Sequence, residues 1–241
     1  GVSTEHTAFL NLAEGVAAPD SGSAARNGRT VAEQIGAQIF IDAFGWVAPG
    51  RPRLAAELAR RAARVSHDGE AVHAACAVAA MNAAAFVEPR MARLLDVAAG
   101  VLPSGSLIAR VHRDVRAWVA RDGDWRRTFA RIERRYGYDR YGGGCHVVPN
   151  HAVMVLAWAS APRSLRRALG IAATCGWDTD CNCGNVGAVL GVALGRDGIN
   201  AEYEFQAPFA DRLVLPTAEG ARAATDVAAE AARGAAIGRR L

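Results

Sequence analysis

The spacing of the apolar residues limits what this chain can fold into more than any other feature of its sequence. Apolar side chains recur at the three- and four-residue intervals of an α-helix along nearly all of the 241 residues. No run alternates with period two for long, so the pattern predicts no convincing sheet. The many alanines and glycines allow neighbouring helices to approach closely. We therefore expect a compact all-α fold without internal linkers or repeats, in which residues 1–241 form a single domain.

Glycines, prolines and capping residues divide this pattern into separate helices. Pro52, for example, stands where a helix tolerates proline, in its first turn. A loop rich in glycine and tyrosine is expected over residues 137–148, and an irregular segment with short extended pieces over residues 196–217. The predicted helices span residues 31–44, 52–65, 70–86, 89–100, 106–120, 125–136, 149–159, 164–174, 180–194 and 219–237.

The composition is that of a globular protein rather than a disordered one, with 51% hydrophobic and 22% charged residues. No apolar run reaches the roughly 18 residues that a membrane span requires, so we expect no membrane partner. The net charge is only +4, and the arginines of residues 110–140 are interleaved with acidic residues. Both observations argue against nucleic acid as a partner. Five cysteines without regular spacing do not suggest a disulfide framework, so we expect a reducing, cytoplasmic location.

Residues 176–184, Gly-Trp-Asp-Thr-Asp-Cys-Asn-Cys-Gly, carry the groups best suited to chemistry. Asp178 and Asp180 are separated by one residue, directly ahead of a predicted helix. Two carboxylates on a tight turn ionise together at low cost only when a cation lies between them, and such oxygen ligands suit Mg²⁺, Mn²⁺ or Ca²⁺. The alternative is that one of them only caps the helix, a position that Asp favours. Spacing alone does not decide between the two interpretations.

Glycines at positions 184, 187, 191 and 195 form a stripe along the helix that follows. At spacings of three and four they lie on one face, so another helix can pack very near. We expect this helix at the centre of the bundle with its glycine stripe buried. Such packing would hold the turn at Asp178 and Asp180 rigidly.

Residues 173–195 resemble the C-terminal metal motif of the ADP-ribosylglycohydrolase family, which includes dinitrogenase-reductase-activating glycohydrolase. The family pattern is Gly-x-Asp-x-Asp-Thr/Ser followed by a small-residue helix that ends in glycine, and this chain has Gly-Trp-Asp-Thr-Asp-Cys over residues 176–181. Further matches follow in the family order. Residues 26–28 resemble its substrate loop, residues 65–67 its Leu-Thr-His element, and residues 142–150 its glycine-rich loop entering a helix. The resemblance covers most of the chain and implies an orthogonal all-α helical bundle.

The resemblance also implies an activity, namely hydrolysis of an N- or O-glycosidic bond at ribose C1 of an ADP-ribosylated protein or a related ribosyl compound. It implies two Mg²⁺ or Mn²⁺ ions, with metal-binding positions at Asp178, Asp180 and Cys181. Loop glycines would offer backbone N–H groups to a pyrophosphate without side chains in the way. The substrate-binding positions implied are Asn27, Gly28, His67, Gly142, Gly143, Gly144, His146 and Trp177.

Two features depart from the family pattern. Cys181 stands where the family has a hydroxyl residue as a metal ligand, and a neutral thiol is a poor ligand for a hard cation. The Gly-x-x-x-Gly-Asp and Thr-Asp-Asp-Thr elements, which carry the family's other metal ligands and a catalytic carboxylate, do not occur in this sequence. We therefore expect the domain to be N-terminally incomplete relative to the family, with its catalytic base outside this chain and a companion N-terminal fragment as partner.

A second class of function stays open from the sequence, a catalytically incapacitated helical protein with a binding or structural role on the same scaffold. Several of the named residues also have ordinary structural explanations. His67 either orients a ribose or phosphate or is a buried helix-terminal histidine bonded to a carbonyl. Trp177 either stacks on a nucleobase or packs in the core beside a turn. His146, together with the cysteines, matches none of the usual structural zinc spacings.

Overall fold

The computed structural model of the chain describes residues 1–214 and 223–241 and is helical over most of that length. The all-α prediction is therefore confirmed. None of the helices in the described ranges is long and apolar enough to cross a membrane. The helices are α1 (Thr4–Ala13), α2 (Ala24–Asn27), α3 (Arg29–Ala32), α4 (Gly36–Ile39), α5 (Asp42–Trp46), α6 (Pro52–Ala63), α7 (Gly69–Ala85), α8 (Met91–Val101), α9 (Leu107–Asp122), α10 (Trp125–Tyr136), α11 (Val147–Ser160), α12 (Leu165–Thr174), α13 (Thr179–Ile199) and α14 (Val227–Gly238).

Two helices, α7 and α11, form the centre of the fold. Both are apolar on nearly every side, and a helix of this kind is stable only when it is buried all round. In α7 every residue except Gly69 and His73 is buried. The α6 helix packs along α7 through a row of buried alanines, so the expected close approach of helices through small residues is observed.

The helix that follows the acidic turn, α13, packs against α12, α11 and α7 and leaves its other side partly exposed. The prediction that it lies at the centre with a buried glycine stripe is wrong, because Gly184 is exposed and Gly187 is half-buried. Larger side chains bury more apolar surface than glycine does, and they decide which face turns inward. The buried face consists of Asn182, Asn185, Val186, Val189 and Leu190.

The predicted helix over residues 31–44 is also wrong, since this segment forms three short helices, α3, α4 and α5. Backbone pairing with a distant segment interrupts it. The Ile35 N–H donates to the Cys145 carbonyl at 2.9 Å, and the Val147 N–H donates to the Glu33 carbonyl at 3.0 Å. These bonds replace the helical partners of the backbone between α3 and α4, and they fix the glycine-rich loop against this segment.

The ends of the chain differ from the predictions in three respects. The α1 helix was not predicted, although Ser3 caps it by accepting the His6 N–H at 3.1 Å. Two short antiparallel strands, β1 (Arg212–Val214) and β2 (Ala224–Asp226), form a ribbon where no sheet was expected. The helix predicted over residues 219–237 begins only at Val227 in the described part, and residues 219–222 lie outside the described residues.

Candidate metal and substrate site

The acidic turn begins with two residues in left-handed backbone conformations, Gly176 with φ 71° and Trp177 with φ 61°. This conformation is uncommon for a residue with a side chain and persists only where the surroundings hold it. The Trp177 ring is held by stacking on Tyr138, with centroids 5.1 Å apart, and by contact with Phe129 at 5.3 Å. Trp177 therefore packs behind the turn and does not line the cavity described below.

Asn150, on the central helix α11, anchors the turn. Its side-chain oxygen accepts the Asp178 N–H at 3.2 Å and the Asn182 amide at 3.0 Å. Its amide nitrogen donates to the Tyr138 hydroxyl at 2.6 Å and to the His146 carbonyl at 2.9 Å. One buried amide thus ties the turn, the start of α13 and the glycine-rich loop together.

The turn presents Asp178, Asp180 and Cys181 together, with one ligand atom of each lying within 4.8 Å of the others. Asp178 occupies the N-cap position of α13, but its side chain makes no capping hydrogen bond. The Cys181 N–H donates to the Asp180 carboxylate at 2.9 Å. The Asp178 side chain therefore does not cap α13, although its residue occupies the N-cap position.

The ionisable groups of the turn are coupled to one another. Burial, and then the adjacent Asp180 carboxyl, raise the pKa of Asp178. The hydrogen bond with Asp178 lowers the pKa of Asp180, so the two carboxyls titrate as a pair that shares a proton. Burial, and then the hydrogen bond to Asp178, raise the pKa of the Cys181 thiol.

A cavity of about 490 Å³ opens beside the turn, within the size range of small-molecule sites. Asp178 and Cys181 form part of its wall, and Gly143, Gly144 and Cys145 form another part. The remaining wall comes from the N-terminal segment, which includes Glu5, and from the segment that carries α3 and α4, which includes Gln34 and Gly36. The structure therefore brings the acidic turn and the glycine-rich loop to one cavity, as the resemblance implied.

Gln34 holds the glycine-rich loop. Its side-chain oxygen accepts the Cys145 N–H at 3.0 Å, and its amide donates to the Gly142 carbonyl at 3.2 Å. Gly143 has φ 89°, and a side chain there would overlap that of Gln34. Glycine is thus required at this position by backbone conformation and by the close approach of Gln34, and the loop keeps its backbone open toward the cavity.

His67 does not line the cavity and is almost fully buried. Its Nε2 accepts the Ala37 N–H at 3.1 Å, so Nδ1 carries the proton and donates to the Ser66 hydroxyl at 2.7 Å. Burial lowers the pKa of His67 to about 4, which keeps the ring neutral near pH 7. The structural explanation therefore accounts for both ring nitrogens, with a backbone N–H rather than a carbonyl as the partner of Nε2.

His146 and Asn27 also use their polar atoms within the protein. His146 Nδ1 accepts the Val148 N–H at 3.2 Å and caps α11. Asn27 donates to the Ser21 carbonyl at 2.8 Å and accepts the Asn11 amide at 2.9 Å. Neither residue lines the cavity, nor does Gly28. Their substrate-binding roles stay predictions.

Three residues of the site were not identified from the sequence, namely Glu5, Gln34 and Asn150. Glu5 places a further carboxylate on the cavity wall. Asn150 did carry a signal, because it is an amide within the apolar α11 sequence, and a buried amide must find hydrogen-bond partners. Gln34 and Glu5 depend on contacts between distant segments, and no local pattern marks them.

Comparison with protein families places the chain in a defined class, because the family model for ADP-ribosylglycohydrolase matches residues 1–233. The chain belongs to the ADP-ribosylglycohydrolase family. Searches of curated proteins and of solved structures gave no significant match. The family identity agrees with the helical fold, and it points to the hydrolysis of glycosidic bonds in ADP-ribosyl substrates with the help of a metal ion.

Proposed function

We propose that this protein hydrolyses an N- or O-glycosidic bond at ribose C1 of an ADP-ribosylated protein or a related ribosyl compound. One observation carries the proposal. In a chain of this family, the carboxylates of Asp178 and Asp180 lie close together on one turn, and Asp178 lines a cavity large enough for a nucleotide-sized ligand. Neither carboxylate is used to stabilise the fold through an ion pair among the described residues. Such a pair, held by a buried amide, is suited to binding a cation.

The donor set fits a divalent cation through its two carboxylates. The resemblance implies two Mg²⁺ or Mn²⁺ ions, which carry four positive charges, while Asp178 and Asp180 supply two negative ones. The Glu5 carboxylate on the same cavity wall is a further negative group available to a second ion. When bound, the metal would hold ribose hydroxyls and make a water more acidic. The sulfur of Cys181 does not suit Mg²⁺.

The protein's own residues would bind and orient the substrate. The backbone of Gly143 and Gly144 lies open to the cavity, and its N–H groups are available to phosphate oxygens. Gln34 fixes this loop, and Asn150 fixes the acidic turn, so neither part of the wall must reorganise when the substrate enters. We retain the expectation that the general base is supplied by a segment outside these 241 residues.

Release of ADP-ribose from an ADP-ribosylated protein tests the proposal, measured with the chain alone and with an N-terminal fragment carrying Gly-x-x-x-Gly-Asp and Thr-Asp-Asp-Thr elements. We expect turnover when the fragment is added, and we expect Asp180→Asn to abolish that turnover. The control is Asp197→Asn, an exposed site beyond the kink at Gly195, near the end of α13. Turnover by the chain alone would contradict an external base. The absence of turnover in both arms would contradict the hydrolase proposal and favour the incapacitated helical binding protein.

The five cysteines are all free in the structure. This observation supports a reducing compartment, and we propose the cytoplasm as the location of the protein.

A further inference from the structure

The donor set of the acidic turn disagrees with the metal that the family resemblance implies. Two of its three donors are carboxylates, but the third is the sulfur of Cys181. Mg²⁺ takes oxygen ligands in a near-ideal octahedron and has little affinity for sulfur. We propose that this turn selects a thiophilic divalent transition-metal ion, such as Zn²⁺ or Co²⁺, over Mg²⁺, with Cys181 as a direct ligand.

The geometry places the sulfur where a ligand must be. The ligand atoms of Asp178, Asp180 and Cys181 lie within 4.8 Å of one another. In a tetrahedral zinc site, with Zn–S near 2.3 Å and Zn–O near 2.0–2.2 Å, neighbouring donors are about 3.5 Å apart. Small side-chain rotations therefore suffice to close the three donors around one ion. Three protein ligands leave a fourth position open, which is typical of catalytic rather than structural zinc sites.

The side chains of Cys181 and Cys183 point in different directions. Cys181 lines the cavity together with Asp178. Cys183, two residues further along the same helix, points to another side, and its sulfur lies 3.8 Å from the Leu169 carbonyl. Both thiols are half-buried. The chain thus contains its own matched control, a second cysteine of similar exposure on the same helix but turned away from the carboxylates.

The chemistry of the donors sets the direction of selectivity. Affinity for mixed oxygen and sulfur sites rises from Mn²⁺ through Co²⁺ toward Cu²⁺ and Zn²⁺, and thiolate ligands favour zinc over hard cations. As the metal–sulfur bond forms, the thiol releases its proton to solvent, and two carboxylates with one thiolate then offset the charge of the ion. This inference rests on the proposed metal site, although it does not depend on turnover.

Metal titration without substrate tests the proposed preference for a thiophilic metal ion. Calorimetry with Zn²⁺, Co²⁺ and Mg²⁺ is carried out on the reduced wild-type chain, Cys181→Ser and Cys183→Ser. We expect the wild type to bind Zn²⁺ and Co²⁺ more tightly than Mg²⁺. We expect Cys181→Ser to weaken Zn²⁺ and Co²⁺ binding by about tenfold or more, as the loss of a ligand requires, without weakening Mg²⁺ binding. Cys183→Ser should match the wild type.

A spectroscopic measurement identifies the ligand directly. The Co²⁺ form should show the near-ultraviolet charge-transfer absorption of a cobalt–thiolate bond, lost in Cys181→Ser and kept in Cys183→Ser. An absorption that survives in Cys181→Ser, or a wild-type preference for Mg²⁺, would overturn the inference. Failure here is distinguishable from failure of the proposed function. If turnover with Mg²⁺ is the same in Cys181→Ser as in the wild type, only the metal assignment is refuted. If the Co²⁺ form shows the cobalt–thiolate bond but no turnover is found, only the hydrolase proposal is refuted.

Discussion

Asn150, on the central helix α11, makes four side-chain hydrogen bonds, and two of them hold the Asp178 N–H of the acidic turn and the Asn182 amide at the start of α13. Replacing it by alanine leaves the Asp178 N–H and the Asn182 amide without their partner. We expect Asn150→Ala to lower metal affinity at the turn by about 10- to 100-fold, the usual effect of removing a group that orients ligands. Calorimetry measures this, with Asn200→Ala as a control far from the turn in sequence. Unchanged affinity in Asn150→Ala would contradict the anchoring role.

The same substitution should also affect stability. Buried polar groups that lose their partners cost about 1–3 kcal/mol each. Thermal unfolding of Asn150→Ala without metal should therefore show a lower midpoint than the wild type. A midpoint equal to that of the wild type would mean that solvent replaces the lost bonds, and the turn would then be less enclosed than its contacts indicate.

At the scale of the helices, glycines differ in what surrounds them, and this difference predicts opposite mutational effects. A Cβ added to Gly45 on α5 would lie 2.5 Å from the Asn82 Cβ and 2.6 Å from the Ala79 carbonyl oxygen, both on α7. A Cβ added to Gly187 on α13 would meet only the Leu169 side chain, at an ordinary 3.6 Å. The close approach that the sequence predicted for the α13 glycines therefore exists between α5 and α7.

We expect Gly45→Ala to destabilise the fold by about 1–3 kcal/mol through overpacking. Gly187→Ala should be neutral or stabilising by up to about 1 kcal/mol, because alanine favours the helix. Denaturant unfolding of both variants measures the two free energies. A loss in Gly187→Ala as large as that in Gly45→Ala would show that the face of α13 bearing Gly187 packs more tightly than the structure shows.

The helices that the sequence predicted best are those with long local periodicity, such as α10, predicted and observed over the same residues. The segment of residues 31–44 shows why others were missed. Its helical periodicity is real, but Ile35 bonds to Cys145, more than a hundred residues away, and no local pattern contains that bond. The strands β1 and β2 carry too few residues for periodicity to predict them, and α1 buries only Thr4 and Ala8, so it has no buried apolar stripe.

Over the whole molecule, the site was predictable where its residues are adjacent in sequence and less so where they are not. Asp178, Asp180 and Cys181 converge because they share one turn. His67 and His146 were interpreted as substrate residues, but a backbone N–H occupies one ring nitrogen of each: that of Ala37, from a distant segment, for His67, and that of the nearby Val148 for His146. Which polar atom is satisfied internally depends on the assembled fold, and a sequence pattern does not contain that information.

Buried histidines contribute to the pH dependence of the stability of the whole molecule. Burial lowers the pKa of His67 to about 4 and that of His112 to about 3, and it lowers the pKa of His151 strongly. His151 Nδ1 donates to the Gln38 side-chain oxygen at 2.5 Å, and His112 Nε2 then donates to His151 Nε2 at 2.8 Å, so both rings are neutral.

A histidine whose pKa is lower in the folded state than in the unfolded state binds a proton more readily after unfolding. Its contribution to the stability of the fold is therefore complete above about pH 6.5 and is lost as the pH falls toward 4. Asp42 acts in the opposite sense. Burial raises its pKa to about 7, so it favours the folded state less as the pH rises from about 4 to 7. The loss of stability from the three histidines outweighs the gain from Asp42. We therefore expect the midpoint temperature of unfolding to decrease as the pH is lowered from 6.5 to 4.

Thermal unfolding from pH 4 to pH 8 measures this profile. His6→Gln, at an exposed site, serves as the control and should leave the profile unchanged. A midpoint that rises steadily as the pH falls to 4 would show that Asp42 dominates, and it would contradict neutral burial of the His112–His151 pair.

The central claim is that the turn at Asp178 and Asp180 is the metal-dependent ribosyl site of an ADP-ribosylglycohydrolase. Calorimetric binding of ADP-ribose to the chain, with and without a divalent metal ion, tests it most directly because it requires no catalytic base. We expect ADP-ribose binding that depends on the metal, is lost in Asp178→Asn and is retained in Asp197→Asn. ADP-ribose binding that is the same with and without metal, and the same in Asp178→Asn as in the wild type, would contradict it.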